Sequence, residues 1–150
     1  MKKLLLLLIP IVLCIACESK TENFSKLCII KNNSQNITDT EEKLITYNNL
    51  DEVTNVIITR TFKSKDYDGN KVIENIKKSA ENYNNNLAKS KNIIVKKLKD
   101  EKDIYIVEYT LDVQNITETE LDNFNLKKNS VKLFNKMKNN NIECKKAKSK

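Results

Sequence analysis

Histidine is missing from this 150-residue chain, and glycine occurs only once, as Gly69. Without histidine the Ser-His-Asp and Cys-His nucleophilic arrangements are excluded, and so are the usual zinc hydrolase sites. A single glycine excludes the Gly-rich loops that let backbone amides close around a phosphate. Arginine is also nearly absent: Arg60 stands alone among many lysines. The aromatic residues are not interleaved with a basic cluster, so nucleic acid is not an expected partner.

One apolar run is present, and it is short. Lys2 and Lys3 precede Leu4 to Ala16, the pattern of an export signal and too brief for a comfortable membrane span. Its end, Leu13-Cys14-Ile15-Ala16-Cys17, resembles the lipobox of bacterial lipoproteins, where a small residue precedes the cysteine that takes the lipid. Cys17 fits with Ala16 before it, whereas Cys14 would follow Leu13. The resemblance implies a diacylglycerol and an acyl lipid on Cys17, with no other cofactor. Two or more chains at about 0.8 kcal/mol per buried methylene make a stable anchor. The expected address is the extracytoplasmic side of a bacterial cell membrane.

Export permits disulfides. With Cys14 removed and Cys17 acylated, Cys28 and Cys144 remain, and the simplest reading of an even pair is one disulfide. Free thiols and a metal site are the alternatives, although two thiols without histidine make a poor cage. A bridge between them would close a loop of 116 residue steps. The chain-entropy model assigns such a loop about 4 to 5 kcal/mol.

Residues 1–16 are thus read as a signal peptide, 17–26 as a lipid-anchored tether, 27–145 as a single domain and 146–150 as a basic tail. Beyond residue 16 the chain keeps 25 basic and 20 acidic residues, a balance of +5. The two signs are interspersed, which suits a solvated face better than a polyanion groove.

Periodicity then orders the domain. A short apolar run surrounds Cys28, and a polar loop is expected through Glu42. Lys43 to Tyr47 and Val53 to Phe62 read as antiparallel strands around an Asn48-Asn49 turn. From Lys71 the positions Val72, Ile73, Ile76, Ala80, Tyr83 and Leu87 mark one face of a helix of about four turns. Asn92 to Leu98 and Ile104 to Val113 form the next pair, and Tyr105, Val107, Tyr109, Leu111 and Val113 alternate toward the core. Thr117 and Glu120 have capping-box spacing ahead of Leu121 and Phe124. A last helix from about Ser130 is expected to bury Val131, Phe134 and Met137, with Leu133 near its edge. The fold class is α+β: a mainly antiparallel sheet packed on one side by a long amphipathic helix and a C-terminal helix.

Thr117 to Leu121, Phe124, Leu126, Phe134, Met137-Lys138 and Ile142-Glu143-Cys144-Lys145 resemble the ending of YehR-like small bacterial lipoproteins, a family whose molecular function is not established. The resemblance implies a lipobox, a β-rich domain with a central helix, and an early and a late cysteine, which favours the Cys28–Cys144 bridge. It supplies no catalytic residue. The family places Gly before the aromatic residue that precedes its last cysteine. This chain has Asn141 there, and asparagine tolerates the left-handed backbone such a helix end uses.

The acids Asp100, Glu101 and Asp103 sit in a hairpin, and Glu118, Glu120 and Asp122 at a helix start, where negative charge is favourable on structural grounds. Asp66, Asp68 and Asn70 alternate like the start of a calcium loop, but Lys71 and Lys77 occupy the places that need Gly and Glu. The function expected is a non-catalytic envelope module, joined to membrane lipid by its anchor, that binds another protein or an envelope ligand. A carboxylate-dependent glycan enzyme would instead need two acids in one cleft. A small-molecule carrier would need an apolar cavity between helix and sheet.

Overall fold

The computed structural model describes residues 21–147, so the export segment, Cys14, Cys17 and the last three lysine-rich positions lie outside the described residues. The chain forms β1 (Asn23–Asn33), β2 (Ile37–Asn48), β3 (Val53–Ser64), α1 (Tyr67–Leu87), β4 (Ile93–Asp100), β5 (Ile104–Asp112), α2 (Glu118–Asn123), α3 (Ser130–Asn139) and β6 (Cys144–Lys146). The six strands make one antiparallel sheet in the order β4-β5-β3-β2-β1-β6. The α+β class holds, with helices packed on the sheet. Among the described residues no helix is long and apolar enough to cross a membrane.

Alternation decides which face is dry. Tyr105, Val107, Tyr109 and Leu111 of β5 are buried, as their period of two requires. Across the sheet Leu111 lies opposite Val56 and Ile93, and Val56 opposite Ile45. All four are buried, so one cross-strand row is apolar from β2 to β4. Ile73, Leu121, Leu126, Leu133 and Met137 close the core from the helix side. A fully buried side chain of this size contributes about 1.5 to 3 kcal/mol. The opposite face carries the threonines of β2 and β3 and lies open.

The helix ends show how a chain with one glycine turns its corners. Thr117 caps α2, with its hydroxyl accepting from the Glu120 N–H at 3.2 Å while Glu120 accepts from the Thr117 N–H at 3.0 Å. After α2, Asn125 takes φ 60°, and after α3, Asn141 takes φ 57°. In both places the next residue returns a Schellman bond, Leu126 N–H to the Leu121 carbonyl and Ile142 N–H to the Met137 carbonyl. The expected left-handed role of Asn141 is therefore met.

Four local expectations are corrected. Residues 37–42 are strand and not loop, because Thr38 and Thr40 suit a pleated surface while Asp39 and Glu41 find cationic partners beneath the helices. β1 begins at Asn23, so the last four tether residues pair with β2. α1 has 21 residues, since Asp66 caps it by accepting from the Gly69 N–H at 2.7 Å. In α3 Leu133 is buried and Val131 is 48% exposed, because Ser130 and Met137 turn the stripe toward Leu133.

Gly69 serves a contact, not a turn. It lies in the first turn of α1, where a Cβ would run into the Asn36 carbonyl and the Ser64 hydroxyl. Gly69→Ala should gain about 1 kcal/mol of helix propensity. It should lose more, about 1 to 3 kcal/mol, to overpacking, so its urea midpoint should fall. A midpoint at or above the parent value would show that the hairpin gives way freely.

Cys28 and Cys144 face each other across β1 and β6, bonded, with a sequence separation of 116. Reduction should lower the unfolding free energy by about 3 to 5 kcal/mol, read by urea titration with and without reductant. It should first release β6, whose three residues have no other strand neighbour.

Candidate functional site: the cleft between α1 and the sheet

Below the dry row the inner face of the sheet changes character. Moving along the strands, Ile45–Val56–Leu111 gives way to Lys43–Ile58–Tyr109, then Glu41–Arg60–Val107, then Asp39–Phe62–Tyr105. Charges enter where the core would otherwise continue. α1 spans the polar rows without sealing them, and a cleft of about 600 Å³ remains between helix and sheet. This volume lies within the range of small-ligand sites, about 300 to 1,000 Å³.

Its walls are mostly apolar. From the helix come Val72, Ile76, Ala80 and Tyr83, with Asn75 and Ser79 between them. These belong to the amphipathic stripe expected to pack on the sheet, yet two of its members stand clear: Val72 is 36% and Tyr83 43% exposed. From the sheet Phe62 and Tyr105 stack with centroids 6.3 Å apart.

The floor holds one ion pair. Arg60 donates from Nε to Asp39 Oδ1 at 3.2 Å and from Nη2 to Asp39 Oδ2 at 2.7 Å. The Arg60 side chain is 43% exposed and that of Asp39 15%. The guanidinium also lies 4.7 Å from the Phe62 ring centroid. The hydrogen bond Arg60 donates to Asp39 raises the Arg60 pKa against the opposing effect of burial. Two parallel charge-assisted bonds fix the fork in one orientation and leave its Nη1 edge unused by Asp39.

Around the pair Tyr109 and Tyr83 are held toward their neutral forms. Tyr109 donates to Asn84 Oδ1 at 2.9 Å, and Asn84 Nδ2 donates to the Tyr105 hydroxyl at 3.2 Å. Burial pushes the Tyr109 pKa up to about 12, with Tyr105 adding to the shift. Burial also raises Tyr83, while nearby Arg60 pulls it the other way.

The acids singled out in the sequence lie away from the cleft, and most have partners of their own. Asp100 meets Lys77 and Lys97, each at 2.7 Å, and the bond from Lys77 leads in lowering its pKa. Glu101 pairs with Lys99 at 3.1 Å. Glu120 is pulled down by the Thr117 backbone, and Asp122 by Lys127. Asp66 is a helix cap, and Asp68 pairs with Lys71. Among the described residues no three metal-ligating side chains gather. Cys28 and Cys144 bind each other, away from the cleft, and Cys17 lies outside the described residues.

Arg60 and Asp39 were not singled out by the sequence reading. The available signal was the phase of β3, where Arg60 alternates with Ile58 and Phe62 and must point inward, so it needs a buried anion. Comparison with protein-family models, curated proteins and solved structures found no match.

The tyrosines offer a direct check on this geometry. Because the Tyr109 pKa is raised from 10.0 to about 12 on folding, its burial contributes stability that is full below pH 10 and lost as pH rises through about 12. Tyrosinate absorbance should show one of the five tyrosines titrating last, and Tyr109→Phe should remove that step. Five superimposed titrations would place Tyr109 in water.

Proposed function

We propose that this chain is a lipid-anchored, non-catalytic envelope domain that holds a small amphipathic ligand in the cleft between α1 and the sheet. The observation that carries this reading is the cleft itself: about 600 Å³, walled by Ile76, Ala80, Phe62 and Tyr105, with a self-satisfied Arg60–Asp39 pair on its floor. An apolar body fits the walls, and a polar group fits the free guanidinium edge and the Tyr83 hydroxyl. Few convergent polar groups on an apolar wall are what orient a ligand in such sites.

The glycan-enzyme reading has less support. A general acid at neutral pH needs a raised carboxyl pKa. The carboxylates whose pKa shifts are resolved, Glu74, Asp100, Glu120 and Asp122, are all lowered by a bonded partner. Asp39 is the one carboxylate lining the cleft, and Arg60 occupies it. The membrane address follows from the match of Leu13 to Cys17 to a lipobox.

The chain lacks tryptophan, so an introduced indole reports alone. Ser79→Trp places one in the cleft, and Lys91→Trp places one on an exposed loop. Titration with bromododecanoic acid below its micelle concentration should quench the first saturably and the second only in proportion to concentration. Equal, unsaturable quenching at both positions would remove the cleft as a binding site. Arg60→Ala should weaken the saturable phase by tenfold or more, since it leaves Asp39 as an unpaired carboxylate beside the ligand.

A further inference from the structure

The exposed large apolar side chains are unevenly placed. Val72 and Tyr83 belong to the cleft, Ile29, Ile94 and Leu98 to the open sheet face and its β4 edge, and Tyr67 to the start of α1. Three remain: Phe24 at 44%, Leu50 at 66% and Val131 at 48% exposure. They come from the start of β1, the β2–β3 turn and the first turn of α3. Backbone hydrogen bonds bring these three segments together. The Asn49 N–H donates to the Glu22 carbonyl at 3.1 Å, and the Ser130 N–H donates to the Asp51 carbonyl at 2.8 Å. A bridge between Glu52 and Asn129 completes the junction.

Cations accompany the apolar group. Lys26 and Lys146 are direct cross-strand partners of β1 and β6, and Lys145, next along β6, stands opposite Leu27 on the other face of the same edge. Like charges placed opposite each other destabilise a strand pair. None of the three is in an ion pair among the described residues. The Lys26 ammonium instead sits 4.2 Å from the Phe134 ring centroid. An anionic surface in front of this end would relieve that repulsion.

The tether fixes what such a surface is. Glu22 follows Cys17 by five residues, so even a fully extended tether keeps this end within about 18 Å of the acylated position. We infer that the end of the domain bearing Phe24, Leu50 and Val131, flanked by Lys26, Lys145 and Lys146, docks onto the headgroup region of an anionic bilayer, an inference that rests on reading Cys17 as the anchor. Leu50, on a turn tip, enters deepest. Tethering supplies a high effective concentration, so three apolar contacts and a few lysines suffice for docking that none would sustain alone.

The test uses the processed, acylated chain in vesicles of phosphatidylglycerol carrying brominated acyl chains. Leu50→Trp reports this end, and Tyr67→Trp reports the other, beyond the 12 residues of β3 that carry the chain along the sheet. Both parent side chains are about two-thirds exposed, so an indole is accommodated at each. Docking predicts a blue-shifted Leu50→Trp emission, quenched at least threefold more than Tyr67→Trp. Phosphatidylcholine in place of phosphatidylglycerol, or Lys26→Glu with Lys146→Glu, should reduce that difference by half or more. Equal quenching at the two positions, or none at either, would overturn the inference. Intact mass separately reports acylation: an unmodified Cys17 overturns the anchor reading, whereas the quenching ratio alone decides the docked end.

Discussion

The contact between the helices and the inner face of the sheet governs the rest of this structure, because that face is not uniformly apolar. The row of Ile45, Val56, Leu111 and Ile93 is dry and holds the domain together. Two and three rows on, Glu41, Arg60 and Asp39 replace aliphatic side chains on the same face. A helix laid over such a floor can pack tightly only at the apolar part. Burying charges costs several kcal/mol per ion unless geometry and hydrogen bonds offset it, so the polar rows are paired with one another and left partly open. The cleft is the consequence of a core that ends before its sheet does.

Lys43 shows the same constraint from the other side. It is buried, with its Nζ donating to the Phe124 carbonyl at 2.8 Å and standing 3.1 Å from Glu41. That carbonyl belongs to the C-terminal cap of α2, where a cation is favoured by the unsatisfied carbonyls of the last turn. A charge inside the domain thus seats a helix of six residues that has little surface of its own to bury. The left-handed Asn125 follows at once, and its Schellman bond brings Leu126 into the core. Asparagine does here what glycine does in most chains, which leaves the single glycine for the one place where a side chain has no room.

Much of this was legible in the residues. The period of β5 and the capping box at Thr117 each rest on one local rule, and each is realised; the Cys28–Cys144 bond is present as well. What failed were stretches where local chemistry and tertiary pairing disagree. Thr38 to Glu42 reads as loop because it carries three acidic positions among polar residues, and pairing with β1 and β3 makes it strand, with Arg60 of β3 meeting Asp39 and Lys43, two positions along β2, meeting Glu41. The face of α3 turned on Leu133 because helix phase from a ten-residue segment is ambiguous by one position. The lining of the cleft could not be read from spacing: its residues are spread over β2, β3, β5 and α1, and no local pattern joins Asp39 to Arg60.

The cleft and the Leu50 end occupy opposite halves of the sheet. β2 runs from Asp39, on the cleft floor, to Asn48, beside the turn that carries Leu50, and nine residue steps of strand span about 30 Å. A domain docked by the Leu50 end would therefore hold its cleft well above the headgroups, too far for a ligand to slide directly from bilayer to site. Such a ligand would have to arrive through water or on another protein. That favours a molecule with enough polarity to cross the gap, which is also what a cleft with an ion pair on its floor, and not a sealed apolar cavity, is suited to hold.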